Sequence, residues 1–212
     1  MKIRIFIFLL LLILTGGCSR EPEIKNIDST GKNIICFGNS LTFGTGAKRS
    51  NSYPAILGRR LDIPVINAGV KGDKSKDGLM RIEEDVLNKE PLMVIIEFGG
   101  NDYLASVDKN ETLKNIEKMV DLIQDKGAMV VLLEVKAGIW SDTYLKGFKK
   151  IAKEKKALLI PDILGGIMFK SEYMSDYIHP NDKGYKIMAE RILREIEPLL
   201  RLNKERRDKL NK

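Results

Sequence analysis

The sequence predicts an α/β protein: a three-layer α/β/α sandwich in which a five-stranded parallel sheet lies between two layers of helices. Three observations carry that prediction. Apolar runs at residues 34–37, 65–68, 92–98, 129–135 and 157–160 are short, continuous and rich in β-branched side chains, as strands covered on both faces should be. Between and after them, apolar residues recur at spacings of three and four, the stripe of a helix lying on a core. Strand and helix taking turns implies right-handed crossovers between parallel neighbours.

In the first run, Ile34-Ile35-Cys36-Phe37, every side chain is apolar, so Cys36 reads as a small buried hydrophobe and not as a nucleophile. The second run, 65–68, leads to a helix marked by Leu79, Ile82 and Val86. The third, 92–98, leads to one marked by Leu113, Ile116, Val120 and Ile123. The fourth and fifth, 129–135 and 157–160, precede a last helix marked by Tyr185, Met188, Ile192 and Ile196. A chain of 212 residues, 43% apolar and 31% charged, is large enough for one well-formed core, and residues 33–200 are assigned to it.

The start of the chain follows a different logic. Lys2 and Arg4 form a positive flank, residues 5–14 are an unbroken apolar run, and Thr15-Gly16-Gly17 brings small residues before Cys18. This is the build of an export signal over residues 1–17, because a membrane-spanning helix needs about 20 apolar residues. Leu14-Thr15-Gly16-Gly17-Cys18 resembles the bacterial lipobox, which implies cleavage before Cys18 and diacylation of that residue. Two acyl chains are enough for stable anchoring. Residues 18–32 then read as a lipidated cysteine and a polar tether. The expected location is extracytoplasmic, on a membrane through Cys18, or secreted or periplasmic without the lipid. Acylated Cys18 leaves Cys36 no partner for a disulfide.

The formal charge of +7 is concentrated at the ends, in Lys2, Arg4 and a basic tail at 201–212, which leaves the body near neutral. A near-neutral body offers no basic face to nucleic acid. The tail reads as a solvated segment, with an anionic membrane surface as the other reading.

Ligands of such sheets gather beyond the carboxyl ends of the strands. After the first run stands Gly38-Asn39-Ser40-Leu41-Thr42; after the second, Gly69-Val70-Lys71-Gly72-Asp73; after the third, Gly99-Gly100-Asn101-Asp102. Beyond the fifth comes Asp176-Tyr177-Ile178-His179, which contains the chain's one histidine. A serine hydroxyl is a poor nucleophile until a base takes its proton, and His179 is the only side chain with a suitable unperturbed pKa. Asp176, three residues earlier, is placed to accept from Nδ1 of His179 and turn Nε2 towards Ser40. The backbone N–H groups of Ser40 and Gly72 and the side-chain amide of Asn101 are the candidate donors to a tetrahedral oxyanion.

Together these blocks resemble the SGNH (GDSL) hydrolase family. Gly38-Asn39-Ser40-Leu41 is similar to its nucleophile block, Gly72 to its oxyanion glycine, Asn101 to its asparagine block, and Asp176-x-x-His179 to its acid and base. The resemblance spans roughly residues 33–200. It implies a flavodoxin-like sheet and cofactor-free esterase, lipase or thioesterase chemistry, closest in look to the branch of bacterial thioesterase I, lysophospholipase L1 and arylesterase. Asn39 stands where an aspartate is usual beside the nucleophile, and Lys71-Gly72-Asp73-Lys74 departs from the usual context; neither change removes a catalytic group.

Each residue has a plainer reading. Ser40 alone fits a helix N-cap, and Gly72 and Asn101 fit turns; the company of His179 and Asp176 decides for chemistry. Asp73 and Asp102 read as turn and capping residues. Trp140, Tyr103, Leu104 and Val107 follow strands on the same edge and read as groove or packing. Gly44-Thr45-Gly46-Ala47-Lys48-Arg49-Ser50 has the flavour of a phosphate loop but not its spacing. One histidine and one free cysteine leave no set of zinc ligands, so no metal is expected. The expected partner is a small acyl ester or thioester. A carbohydrate O-acetyl esterase of the same fold and a non-catalytic ligand-binding lipoprotein are the competing functions, and oligomeric state is left open.

Overall fold

The computed structural model describes residues 23–136 and 142–210. The signal segment 1–17, Cys18 and Trp140 lie outside the described residues.

Five strands, β1 (Asn33–Gly38), β2 (Val65–Gly69), β3 (Pro91–Glu97), β4 (Met129–Leu133) and β5 (Leu158–Ile160), form one sheet in the order β2-β1-β3-β4-β5. Every pairing is parallel, the flavodoxin-like arrangement. Alternation along the strands sorts the core into two layers. Ile34, Cys36, Met93, Ile95, Met129 and Val131 face α2 (Tyr53–Arg60) and α7 (Asp182–Leu210). Ile35, Phe37, Val94, Ile96, Val130 and Leu132 face α3 (Ser75–Asp85), α5 (Lys109–Asp125) and α6 (Asp142–Lys155). Two short helices, α1 (Ser40–Phe43) and α4 (Gly100–Leu104), follow β1 and β3 directly.

The chain leaves β1 for β2 on one side and, through β2 and α3, returns to β3 on the other. Above β1 is therefore the point where the winding reverses, the crevice in which open α/β sheets hold ligands. In register, Gly69, Gly38 and Glu97 form one row across the carboxyl edge. Ser40, Gly72 and Asn101 all lie within a few residues of that row.

Three expected boundaries change. Residues 23–32 are packed where a free tether was expected: Ile24 and Ile27 are buried in the core, and Asn26 Nδ2 donates to the carbonyls of Gln124 and Ala128 at 2.8 and 3.0 Å. The polar look of the segment hid two isoleucines spaced to cover the amino edge of the sheet. The basic tail likewise does not begin at 201. α7 runs to Leu210 despite Pro198, and buried Asn203 donates to the carbonyls of Ile27 and Ser29 at 2.8 and 2.9 Å. β4 also stops two residues early, at Leu133, where the Glu134 carboxylate turns to accept from the Asp162 N–H at 2.8 Å.

Candidate active site

The turn that carries Ser40 is built from the end of β1. Gly38 is required there, because a Cβ would stand 2.2 Å from Thr42 Oγ1 and 2.6 Å from the Glu97 carbonyl oxygen. Asn39 is the N-cap of α1, its Oδ1 accepting from the Leu41 N–H at 3.0 Å. The capping role is thus taken by the neighbour of Ser40. Ser40 opens the helix, where no preceding turn supplies a carbonyl for its N–H, and its hydroxyl is free to face His179.

His179 Nε2 lies 3.0 Å from Ser40 Oγ, across 139 positions of sequence, and His179 Nδ1 lies 2.8 Å from Asp176 Oδ2. The other oxygen of Asp176 accepts the N–H groups of Ile178 at 2.9 Å and His179 at 2.8 Å, closing a turn that fixes Asp176 and His179 together. The Ile178 N–H first, then the imidazole, and then the His179 N–H hold the Asp176 carboxyl down to about 2. An ionised acceptor at Nδ1 leaves Nε2 as the lone-pair side towards Ser40.

The loop carrying His179 is docked on the loop that resembled a phosphate cradle. Tyr185 Oη donates to the Thr45 carbonyl at 2.8 Å, and the Lys48 N–H donates to Asp182 at 2.9 Å. Gly46, at φ 93, is where the two meet: a Cβ would stand 2.6 Å from the Pro180 carbonyl oxygen and 3.0 Å from His179 Cβ. Gly46 serves the approach of the histidine loop, while Gly44, the C-cap of α1, makes room for Ser52.

Asn101 Nδ2 donates to the Asp73 carbonyl at 2.9 Å, tying the asparagine block to the loop that contains Gly72. An amide has two N–H donors, so one remains for a ligand. Gly72 has φ 84, and a Cβ there would meet no atom within 4 Å, so its backbone borders open space. Asp102 and Asp73 are structural. Buried Asp102 accepts from the Ser75 N–H at the start of α3, and Asp73 takes Arg81 Nε at 2.7 Å. Tyr103 and Leu104 lie exposed on α4, with the Tyr103 ring edge-on to Tyr144 at 6.4 Å.

Two residues beneath the turn were missed in the sequence. Arg81 reaches from α3 to the carbonyls of Gly38 and Ala68, each at 3.0 Å, and so clamps the ends of β1 and β2. Nothing in the sequence distinguished it from a solvated helix charge. Glu97 is fully buried: its carboxyl accepts from Asn39 Nδ2 at 3.2 Å, the Asn39 N–H at 3.4 Å and Thr42 Oγ1 at 3.2 Å, and Thr42 Oγ1 lies 2.8 Å from Tyr53 Oη. A charged residue inside an otherwise apolar run was the available signal.

Burial raises the Glu97 carboxyl to about 8. The native state then holds a proton that the unfolded chain gives up from about pH 4.5, so this group subtracts stability as pH rises from there to about 8. Glu97→Gln keeps the shape without the ionisation. Its Tm should decline less than the wild type's between pH 5 and 8; parallel Tm curves for the two proteins would refute the buried ionisation.

Among the described residues, no three His, Cys, Asp or Glu side chains converge as metal ligands. Buried Cys36 has its thiol pushed far above the ordinary range by desolvation, which suits a core residue.

A profile of the GDSL-like lipase/acylhydrolase family matches residues 36–187. The chain is similar to an arylesterase of Vibrio mimicus, 29% identical over 174 residues that cover 77% of this chain and 87% of the relative. It is similar to the esterase TesA of Pseudomonas aeruginosa, 28% identical over 199 residues, with 89% and 98% covered. Among solved structures, the esterase EstA from Pseudoalteromonas sp., inhibited by monoethylphosphonate, superposes with a TM-score of 0.72 at 26% identity, covering 80% of this chain and 99% of that one.

Proposed function

The chain belongs to the GDSL-like lipase/acylhydrolase family and is an ester hydrolase, and from that premise we propose that Ser40, His179 and Asp176 hydrolyse carboxylic esters or thioesters through an acyl-enzyme. The observation that carries the assignment is the unbroken contact from Asp176 through His179 to Ser40 Oγ. Ser40 Oγ attacks the carbonyl as Nε2 takes its proton, and the oxyanion is held by the N–H groups of Ser40 and Gly72 and the free N–H of Asn101. His179 protonates the departing alcohol or thiol. It then takes a proton from water, which attacks the acyl-enzyme and releases the acid.

Exposed apolar side chains stand on the loops around this point: Val70 after β2, Tyr103 and Leu104 after β3, and Tyr177 and Ile178 beside His179. Such a rim suits an acyl or aryl group more than a charged substrate. Cys18 is proposed as the acylated N-terminal residue of an exported chain, which places this activity outside the cytoplasm. Among the described residues, no helix is long and apolar enough to cross a membrane.

A fluorophosphonate, which traps an activated serine, should add its mass to the peptide containing Ser40 and stop ester turnover at one equivalent. Modification at another residue, or full turnover by a stoichiometrically labelled protein, would remove Ser40 from the role.

A further inference from the structure

Residues 23–32 and the last turns of α7 meet at the edge of the sheet opposite Ser40. Asn203, near the end of α7, holds the carbonyls of Ile27 and Ser29. The Lys25 N–H donates to the Lys156 carbonyl at 2.9 Å, just before β5 begins, and Lys156 pairs with Glu23 at 2.9 Å. Residues 23–28 line one groove with Leu202 and Arg206. The chain therefore comes away from Glu23 at the amino edge, beside the last turns of α7.

Those turns are basic and open. Over this stretch the sequence has five cations, Arg201, Lys204, Arg206, Arg207 and Lys209, and two acids, Glu205 and Asp208. Arg201 pairs loosely with Glu197 at 3.9 Å, while Lys204, Arg206, Arg207 and Lys209 have no ion-pair partner among the described residues. Exposed Leu210 follows them. From Cys18 to Glu23 the chain can span at most about 18 Å. Ser40 stands beyond the far end of β1, about 20 Å from the amino edge at ordinary strand rise, and opens the other way. With residues 23–32 packed, so short a tether favours the amino edge over the catalytic edge at the bilayer.

We propose that the amino edge, where residues 23–32 and the last turns of α7 meet, docks on an anionic phospholipid surface and turns the catalytic edge away from the membrane that holds the protein. The orientation rests on the acylation of Cys18 proposed above; the docking face rests on the basic turns beside the tether's exit. Substrate then comes from the aqueous compartment or from a surface opposite, not from the lipids around the anchor.

The test uses the mature chain with Cys18→Ala, in which buried Cys36 is the one remaining thiol. At low ionic strength it should sediment with vesicles of phosphatidylglycerol and phosphatidylcholine, weaken as salt is added, and lose at least tenfold in affinity in Arg206→Glu/Lys209→Glu with ester turnover kept. On those vesicles, a bimane dye on Lys209→Cys should be quenched by spin-labelled lipid and the same dye on Tyr177→Cys should not. Absence of vesicle binding, binding indifferent to charge reversal, or quenching at 177 in place of 209 overturns the docking face. The anchor is read separately, by whether Cys18→Ala releases the protein from membranes in cells. Retention there removes the acyl anchor and leaves the vesicle result to decide the face.

Discussion

Ser40→Ala should lower kcat by about 10⁴- to 10⁶-fold, and adding His179→Ala to it should lower kcat little further. The hydroxyl and the imidazole work as one unit: the base has nothing to deprotonate once Oγ is gone, and Oγ stays a neutral alcohol once the base is gone. Their 3.0 Å contact and the absence of any second histidine leave no substitute for either. The change is mild for the fold. Asn39 caps α1, and the turn is fixed by Gly38, Thr42 and Glu97 and not by the serine side chain. KM should therefore move far less than kcat. Rate losses in the double variant that multiply would show the two residues acting independently and would end the triad assignment.

How much of this was legible differs from element to element. The strand runs could be read because both sheet faces are covered, so strands appear as unbroken apolar words; the cores behind Ile34 and Ile35 are two different layers. Of the helices of eight residues or more, α2 and α6 were not read. α2 is only eight residues long and carries Pro54 in its first turn and Gly58 near its end, residues that look like breakers until Ser52 is seen capping it. α6 buries Phe148, Ile151 and Ala152 among lysines, a stripe too thin to announce itself.

The site was legible where chemistry left few choices. One histidine with an acid three residues before it can be found by counting. The supports beneath were not: Glu97 and Arg81 matter through contacts 58 and 43 positions away, with Asn39 and Gly38, which periodicity does not encode. The packed N-terminal segment belongs with these. Ile24 and Ile27 have meaning only against α7 and the amino edge, partners nearly the whole chain away.

Asp176→Asn should cost about 10⁴-fold in kcat with little loss of folding. An asparagine in the same rotamer keeps its oxygen on the N–H groups of Ile178 and His179, so the turn survives. Its NH2 replaces the oxygen that faces His179 Nδ1 at 2.8 Å. A donor there selects the tautomer with the proton on Nε2, which then presents a hydrogen to Ser40 where a lone pair is needed. The imidazolium formed during attack also loses its counter-charge. Because the native Asp176 carboxyl sits at about 2, it is ionised throughout ordinary assay conditions and adds no inflection to the rate profile above about pH 3. The stability its lowered value confers is present above the unfolded aspartate range and lost only as pH falls towards 2. Steady-state kcat beside a thermal melt separates the two effects: full activity in Asp176→Asn would move the orienting role elsewhere, and a collapsed melt would make Asp176 a fold residue first.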